Sequence, residues 1–318
     1  MMIFQKLTRL FIIVIFVSLA LPVTAHSAKK IKVLATFSIL GDMAKRIGGD
    51  HVTVSSLVGP DGDTHVYRPT PAAAKLMKDS DLLIVNGLGF EGWLDRLVEV
   101  SGFRGSLIVA TKGIAAIPYE ENEAHDDHAK DNHHDDHAGH NHGAFDPHAW
   151  QSLSNALIYV NNITGALAKI FPDRAATFNR NRAAYIAEIK TLDQQIRMMV
   201  AGIPKDLRTV VTSHDAFQYF GRDYGLTFVA PQGLSTESEA SAKGVATLIK
   251  QMRAKRISAV FVENIMDPRL IQQIAKETGA KVGGTLYPGA LSGANGPATT
   301  YLEMIRHNAT MITRALTP

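Results

Sequence analysis

From Ile31 onward the chain alternates short runs of apolar, β-branched residues with longer amphipathic stretches. The runs "IKVLATFS" (31–38), "VTVSSLVG" (52–59), "LLIVNG" (82–87) and "LIVAT" (107–111) read as buried strands. Between them, "ILGDMAKRIG" and "PAAAKLMKDS" have a helical period. The pattern returns with "TVVTS" (209–213), "LTFVAP" (226–231), "SAVFVE" (258–263) and "AKVGGTL" (280–286). Strands that alternate with helices predict parallel sheets with helices on both faces. Two such sets predict an α/β protein of two lobes, each with a four-stranded, mostly parallel sheet.

A different pattern separates the two sets. Phe178, Tyr185, Ile189, Leu192, Ile196 and Met199 recur at steps of three and four, which places them on one face of a single helix. Pro172 stands near its start, and Gly202 and Pro204 close it. About 30 helical residues span roughly 45 Å, enough for a strut along both lobes. The expected division is residues 29–171 for the N-terminal lobe, 172–202 for the linker helix and 203–318 for the C-terminal lobe.

The N-terminus changes the picture. Lys6 and Arg9 precede an apolar run from Leu10 to Leu21, and small residues then lead to Ala25. That is the order of a cleavable signal peptide over residues 1–25, and the run is shorter than the roughly 20 residues a membrane span needs. The chain has no cysteine, so neither a lipidated cysteine nor a disulfide is available. The expectation is a soluble periplasmic protein that is not lipid-anchored. Losing Lys6 and Arg9 takes the formal charge from +3 to +1, and the scattered basic residues give no case for nucleic acid.

Histidine is unevenly distributed. Seven (His125, His128, His133, His134, His137, His140 and His142) crowd among aspartates before "FDPHAW". This tract has too few apolar residues to offset the entropy of ordering, which predicts a mobile loop over 120–143. Its interchangeable imidazoles predict weak accessory metal binding that raises the local metal concentration.

Three histidines outside the tract have a different context. His65 follows the second strand, His148 lies where the tract rejoins ordered chain, and His214 follows the first strand of the second set. Open parallel sheets bind ligands beyond the carboxyl ends of their strands, so a cleft between lobes is where all three can meet. Three imidazoles are a natural zinc donor set. Each ring needs an acceptor for its other nitrogen, and Asp146, Asp215 and Glu263 are candidates. His51 and His307 lack this context and are expected to be solvated.

At these residues the chain resembles a known family. "SLVGPDGDTHVYRPTP", "FDPHAW", "VTSHDAFQYF", "AVFVENIMDPRLIQQIAKETGAKV" and "GPATTYLEMIRHN" resemble the motifs of the metal-binding solute receptors of ABC transporters, the branch that includes the ZnuA and TroA proteins. The resemblance runs from about residue 31 to the C-terminus. It implies two α/β lobes bridged by one long helix, a metal between them, and delivery to a membrane permease with its cytoplasmic ATPase. His65, His148 and His214 fall on the family's first three ligand positions. At the third, manganese and iron carriers commonly have glutamate, so His214 points to the zinc branch. The family's fourth ligand, an aspartate in a segment like "LYxDxLS", is replaced here by Gly289 in "LYPGALS". Water, Asp63 or a tract histidine is left to fill that position.

The reading is therefore a periplasmic receptor that binds Zn2+ as its transported ligand, acts as a monomer and leaves room for a periplasmic metal-supplying partner. Two alternatives compete with it. An open three-histidine zinc could serve a hydrolase, but no H-E-x-x-H motif, phosphate loop or nucleophile elbow is present, which argues against an enzyme. A metal buffer or adhesin without a transporter is the other.

Overall fold

The computed structural model describes residues 30–119 and 145–317. The expected signal peptide and the histidine tract lie outside the described residues. Among the described residues, eight strands form two parallel sheets of four. In the first, β1 (Ile31–Phe37), β2 (Val52–Val58), β3 (Leu82–Val85) and β4 (Ser106–Val109) stand in the order β2-β1-β3-β4. In the second, β5 (Thr209–Val211), β6 (Thr227–Val229), β7 (Ala259–Glu263) and β8 (Lys281–Leu286) repeat that order as β6-β5-β7-β8. Every pairing is parallel, as the crossovers through helices require.

The first lobe is covered by α1 (Ser38–Gly48), α2 (Pro71–Lys78), α3 (Leu94–Ser101) and α4 (Leu153–Ile170). Pro71 opens α2 with Thr70 as its cap, accepting from the Ala73 N–H at 3.2 Å. After α5 (Ala175–Ala201), the second lobe adds α6 (Gln218–Tyr224), α7 (Ala242–Lys255), α8 (Arg269–Thr278) and α9 (Tyr301–Leu316). No helix among the described residues is long and apolar enough to cross a membrane.

The long helix is α5, 27 residues preceded by a 3₁₀ turn at Pro172–Arg174. It buries Phe178, Tyr185, Ile189, Leu192, Ile196 and Val200. Val200, one full turn beyond Ile196, takes the place expected for Met199, which is only partly buried. Its first half is fixed to the N-terminal lobe, where Asn181 Nδ2 donates to the Ile47 carbonyl at 2.8 Å and Glu188 pairs with Arg46. Its second half is fixed to the other lobe: Tyr224 donates to Asp193 Oδ1 at 2.8 Å and Arg197 to the Asp223 carbonyl at 3.1 Å. Burial of a large apolar side chain stabilises by about 1.5–3 kcal/mol, so six along one helix hold it firmly to both lobes.

The lobes are also joined directly. One hydrophobic core runs from β1 and α1 through α4 and α5 to α6 and α9. The chain leaving β8 crosses to the first lobe, where Trp150 Nε1 and Gln151 Nε2 each donate to the Pro288 carbonyl at 2.7 Å. Leu291 N donates to Ser38 Oγ at 3.0 Å and the Leu291 carbonyl accepts from Asp61 N at 2.8 Å. At the start of α9, capped by Thr300 and Glu303, Tyr301 N donates to Asp42 Oδ2 at 2.9 Å. The carboxyl ends of both sheets face the cleft that these contacts enclose.

Candidate metal site

His65 is delivered by the loop that follows β2. Its backbone N–H donates to Asp63 Oδ1 at 2.9 Å, a local turn that sets the residue's direction. Thr236 of the other lobe donates to Asp63 Oδ2 at 2.6 Å. The ring of Phe90 stands edge-on to His65, with centroids 4.9 Å apart.

His148 precedes α4 and is 1% exposed. Asp146 Oδ1 accepts from its backbone N–H at 2.9 Å and lies 2.8 Å from its Nδ1. Asp146 is itself held from across the cleft, because Tyr219 on α6 donates to its carbonyl at 2.8 Å.

His214 follows β5 and is fully buried. Glu263, at the end of the adjacent β7, places Oε2 2.6 Å from His214 Nδ1. Strands β5 and β7 flank the point where the order of the second sheet reverses, which is where open α/β sheets form their binding crevice.

The three rings converge. One ring nitrogen from each lies within 4.8 Å of the others, and His65 Nε2 stands 3.3 Å from His148 Nε2. Ring centroids are 5.4 Å (His65–His148), 5.7 Å (His65–His214) and 5.3 Å (His148–His214) apart. The carboxylates at Nδ1 of His148 and His214 fix a proton on that nitrogen and turn the Nε2 lone pairs inward. His214 Nε2 is buried with no hydrogen-bond partner among the described residues. A buried polar atom left unpaired is costly, and a cation between the rings would satisfy it.

The electrostatics suit a cation. Burial, reinforced by the neighbouring His214, holds His148 well below the ordinary histidine range and therefore neutral. For His214, burial acts downward, but the charge and hydrogen bond of Glu263, with Asp63 and Asp215 beyond, outweigh it and raise the pKa. Burial pushes Asp146 up to about 7, against the His148 N–H bond that lowers it. Burial likewise lifts Asp215 to about 6.

Several candidates fall elsewhere. Asp215 accepts from Gln218 rather than orienting a histidine, whereas Asp146 orients His148 and Glu263 orients His214. Asp63 accepts from His65 N through one oxygen and from Thr236 through the other, which ties it across the cleft. Gly289 is buried, with an ordinary φ, and a Cβ there would come 3.8 Å from Trp150 Cζ2. His307 is not solvated as expected: its Nε2 lies 3.0 Å from the Thr285 carbonyl and its ring stands against Tyr287. His51 is half-buried with its ring beside Phe178. The seven tract histidines lie outside the described residues. Sequence reasoning missed Phe90, Tyr219 and Thr236, since nothing in their spacing announces a contact across the cleft.

Comparison with known proteins supplies the family. Residues 33–315 match the family model described as "ZnuA: Zinc-uptake complex component A periplasmic". The chain is similar to the iron-binding protein YfeA of Yersinia pestis, 36% identical over 95% of this chain and 93% of that protein. It is also similar to the manganese-binding lipoprotein MntA of Bacillus subtilis, 33% identical over 91% of this chain and 90% of that one. Among solved structures, the periplasmic zinc-binding protein TroA of Treponema pallidum superposes with a TM-score of 0.81 at 26% identity, covering 91% of this chain and all of that one. A manganese-bound periplasmic metal-binding protein from candidatus Liberibacter asiaticus does so with a TM-score of 0.77 at 31% identity, covering 90% of this chain and all of that one.

These relatives correct one expectation. MntA, like the streptococcal SsaB and PsaA, is named a lipoprotein, a class held at membranes by lipid. The expectation of a protein without a lipid anchor does not stand against them. It rested on the missing cysteine and on a leader that lies outside the described residues.

Proposed function

Because the chain belongs to the zinc-uptake component A family, solute-binding proteins of ABC metal transporters rather than enzymes, we propose that its cargo is zinc, held by His65, His148 and His214 for delivery to a permease. One observation carries this reading: three imidazole nitrogens within 4.8 Å of one another, with the His214 nitrogen buried and unpaired. Imidazole suits zinc, whereas manganese favours carboxylate oxygen. Names among the relatives include iron, manganese and zinc binders, so the choice of zinc depends on the donor set of this chain. Three imidazole nitrogens and no carboxylate within the group support it.

The roles divide simply. His148, held neutral by burial, offers a lone pair without first losing a proton. His214 exchanges a proton for the ion, and Glu263 compensates the added charge through Nδ1. His65, the half-buried member, is reached from solvent first. The tract histidines are additional weak metal binders.

Competition titration of zinc against manganese tests the reading. One tight zinc equivalent is expected, with manganese weaker, and His65→Ala, His148→Ala and His214→Ala should each weaken zinc sharply. Equal zinc affinity in the three variants, or a preference for manganese, sinks it.

A further inference from the structure

A cavity of about 1070 Å³ opens beside the site, and of the three histidines only His65 lines it. His148 and His214 are sealed from solvent on every side. The lobes are held closed around them. Asp61 accepts from Asn264 Nδ2 at 2.9 Å and from Gly293 N at 3.0 Å, and Asp63 accepts from Thr236 at 2.6 Å. On the opposite side of His148, Tyr219 accepts from Ile117 N at 3.1 Å while donating to the Asp146 carbonyl. The shared core behind the site would have to part for the cleft to gape. An ion that came in by separation of the lobes would break all of these contacts at each exchange.

The cavity offers an approach as far as His65 that breaks none of them. A water takes about 30 Å³, so an ion with about six waters needs only about 180 Å³. We propose that this cavity is the route by which a hydrated divalent cation reaches and leaves the three histidines while the lobes stay clasped. The inference rests on the three-histidine reading above. His65 is then the first ligand met on entry and the last released, since it alone has a face on both the cavity and the buried rings. The charged residues of the lining, Arg68 and Arg96 against Asp95 and Glu237, sum to no net charge, so the route sorts by size and hydration rather than by steering.

Plugging the cavity tests the route. A Cβ at Gly92, which lines it, meets no atom within 4 Å, so Gly92→Trp has room to project into the space. Val100→Trp, at a lining residue 68% exposed, is a second plug should the first fail to fold. Gly165→Trp, exposed on α4 and equally free of neighbours, is the control. Zinc association is followed by stopped flow with Zn2+ alone, and dissociation by capture in excess chelator, on the full chain. Both rate constants should fall together, tenfold or more, in the plugs and not in the control, with the equilibrium Kd within twofold of the parent. Unchanged rates in a plug that melts like the parent overturn the route, and so does a Kd that moves while association stays the same. Failure of the three-histidine reading would show separately, as tight zinc binding that survives His65→Ala.

Discussion

Glu263 grips His214 at two points and Ser213 at a third: Oε2 lies 2.6 Å from His214 Nδ1, and Oε1 accepts from the backbone N–H groups of Ser213 and His214 at 2.9 and 3.2 Å. The carboxylate thus fixes both the ring and the turn that carries it. Glu263→Gln keeps the size but loses the charge. Partners of this kind contribute about 10–100-fold to metal affinity, so zinc should bind weaker by that factor at neutral pH. Because Glu263 also raises the His214 pKa, proton competition should move to lower pH in the variant. Zinc titrations across a pH series check both; an unmoved pH profile would leave Glu263 a purely structural residue.

The pH dependence of the parent has a direction. Zinc needs a neutral Nε2, and His214 has a raised pKa while that of His148 is lowered. As pH falls, His214 is therefore protonated before His148. Affinity should drop about tenfold per pH unit on the acid side of the His214 pKa, the slope of one displaced proton. The slope should steepen only further down, where His148 also protonates. Histidine-ring NMR of the metal-free protein across a pH series should show His214 charged at a pH where His148 is still neutral. The reverse order would contradict it.

The tract can be separated from the site. Deleting residues 120–143 removes all seven tract histidines and none of the three that converge. Calorimetry on the deletion should keep about one tight zinc equivalent and lose the weak ones. The ends of the deletion are favourably placed, since Pro118 and Phe145 already pair as an antiparallel bridge. Loss of the tight equivalent in a folded deletion would place the site in the tract.

Much of this architecture is legible in the sequence because its signals are local. Each strand is a short apolar run, and the α5 face repeats every three to four residues, so period alone locates them. His65 and His214 are legible from strand exits, because the topology of a parallel sheet sends those ends to one side, and His148 only from its place where the tract rejoins ordered chain. What is not legible depends on contacts between segments distant in the chain. Tyr219 meets Asp146 across 73 positions and Thr236 meets Asp63 across 173, and no pattern within either segment encodes the meeting. Asp215 misled for the complementary reason: adjacency to His214 places it near the ring, but the backbone turns its carboxylate to Gln218.

Gly289 gives the last prediction. The family resemblance puts an aspartate where this chain has glycine, and three neutral imidazoles leave the double charge of zinc without an anionic donor. The backbone at Gly289 is not in the left-handed region, so an L side chain adds no strain of that kind. A Cβ there makes ordinary contact with Trp150 Cζ2 at 3.8 Å, and the Trp150 ring lies 5.2 Å from that of His148. The resemblance places the carboxylate of Gly289→Asp at the metal, and the setting is buried, where an unpaired charge is costly. The metal-free variant should melt lower than the parent, and zinc should restore more stability to it than to the parent. Zinc should exchange more slowly, because a closed four-ligand site holds the ion more completely than an open one. Manganese should gain relatively more, since carboxylate oxygen suits it better than imidazole. Competition titrations of both metals, with melts of the metal-free and loaded forms, read all of these effects. A folded variant with an unchanged zinc-to-manganese preference would show that the side chain at this position does not reach the ion.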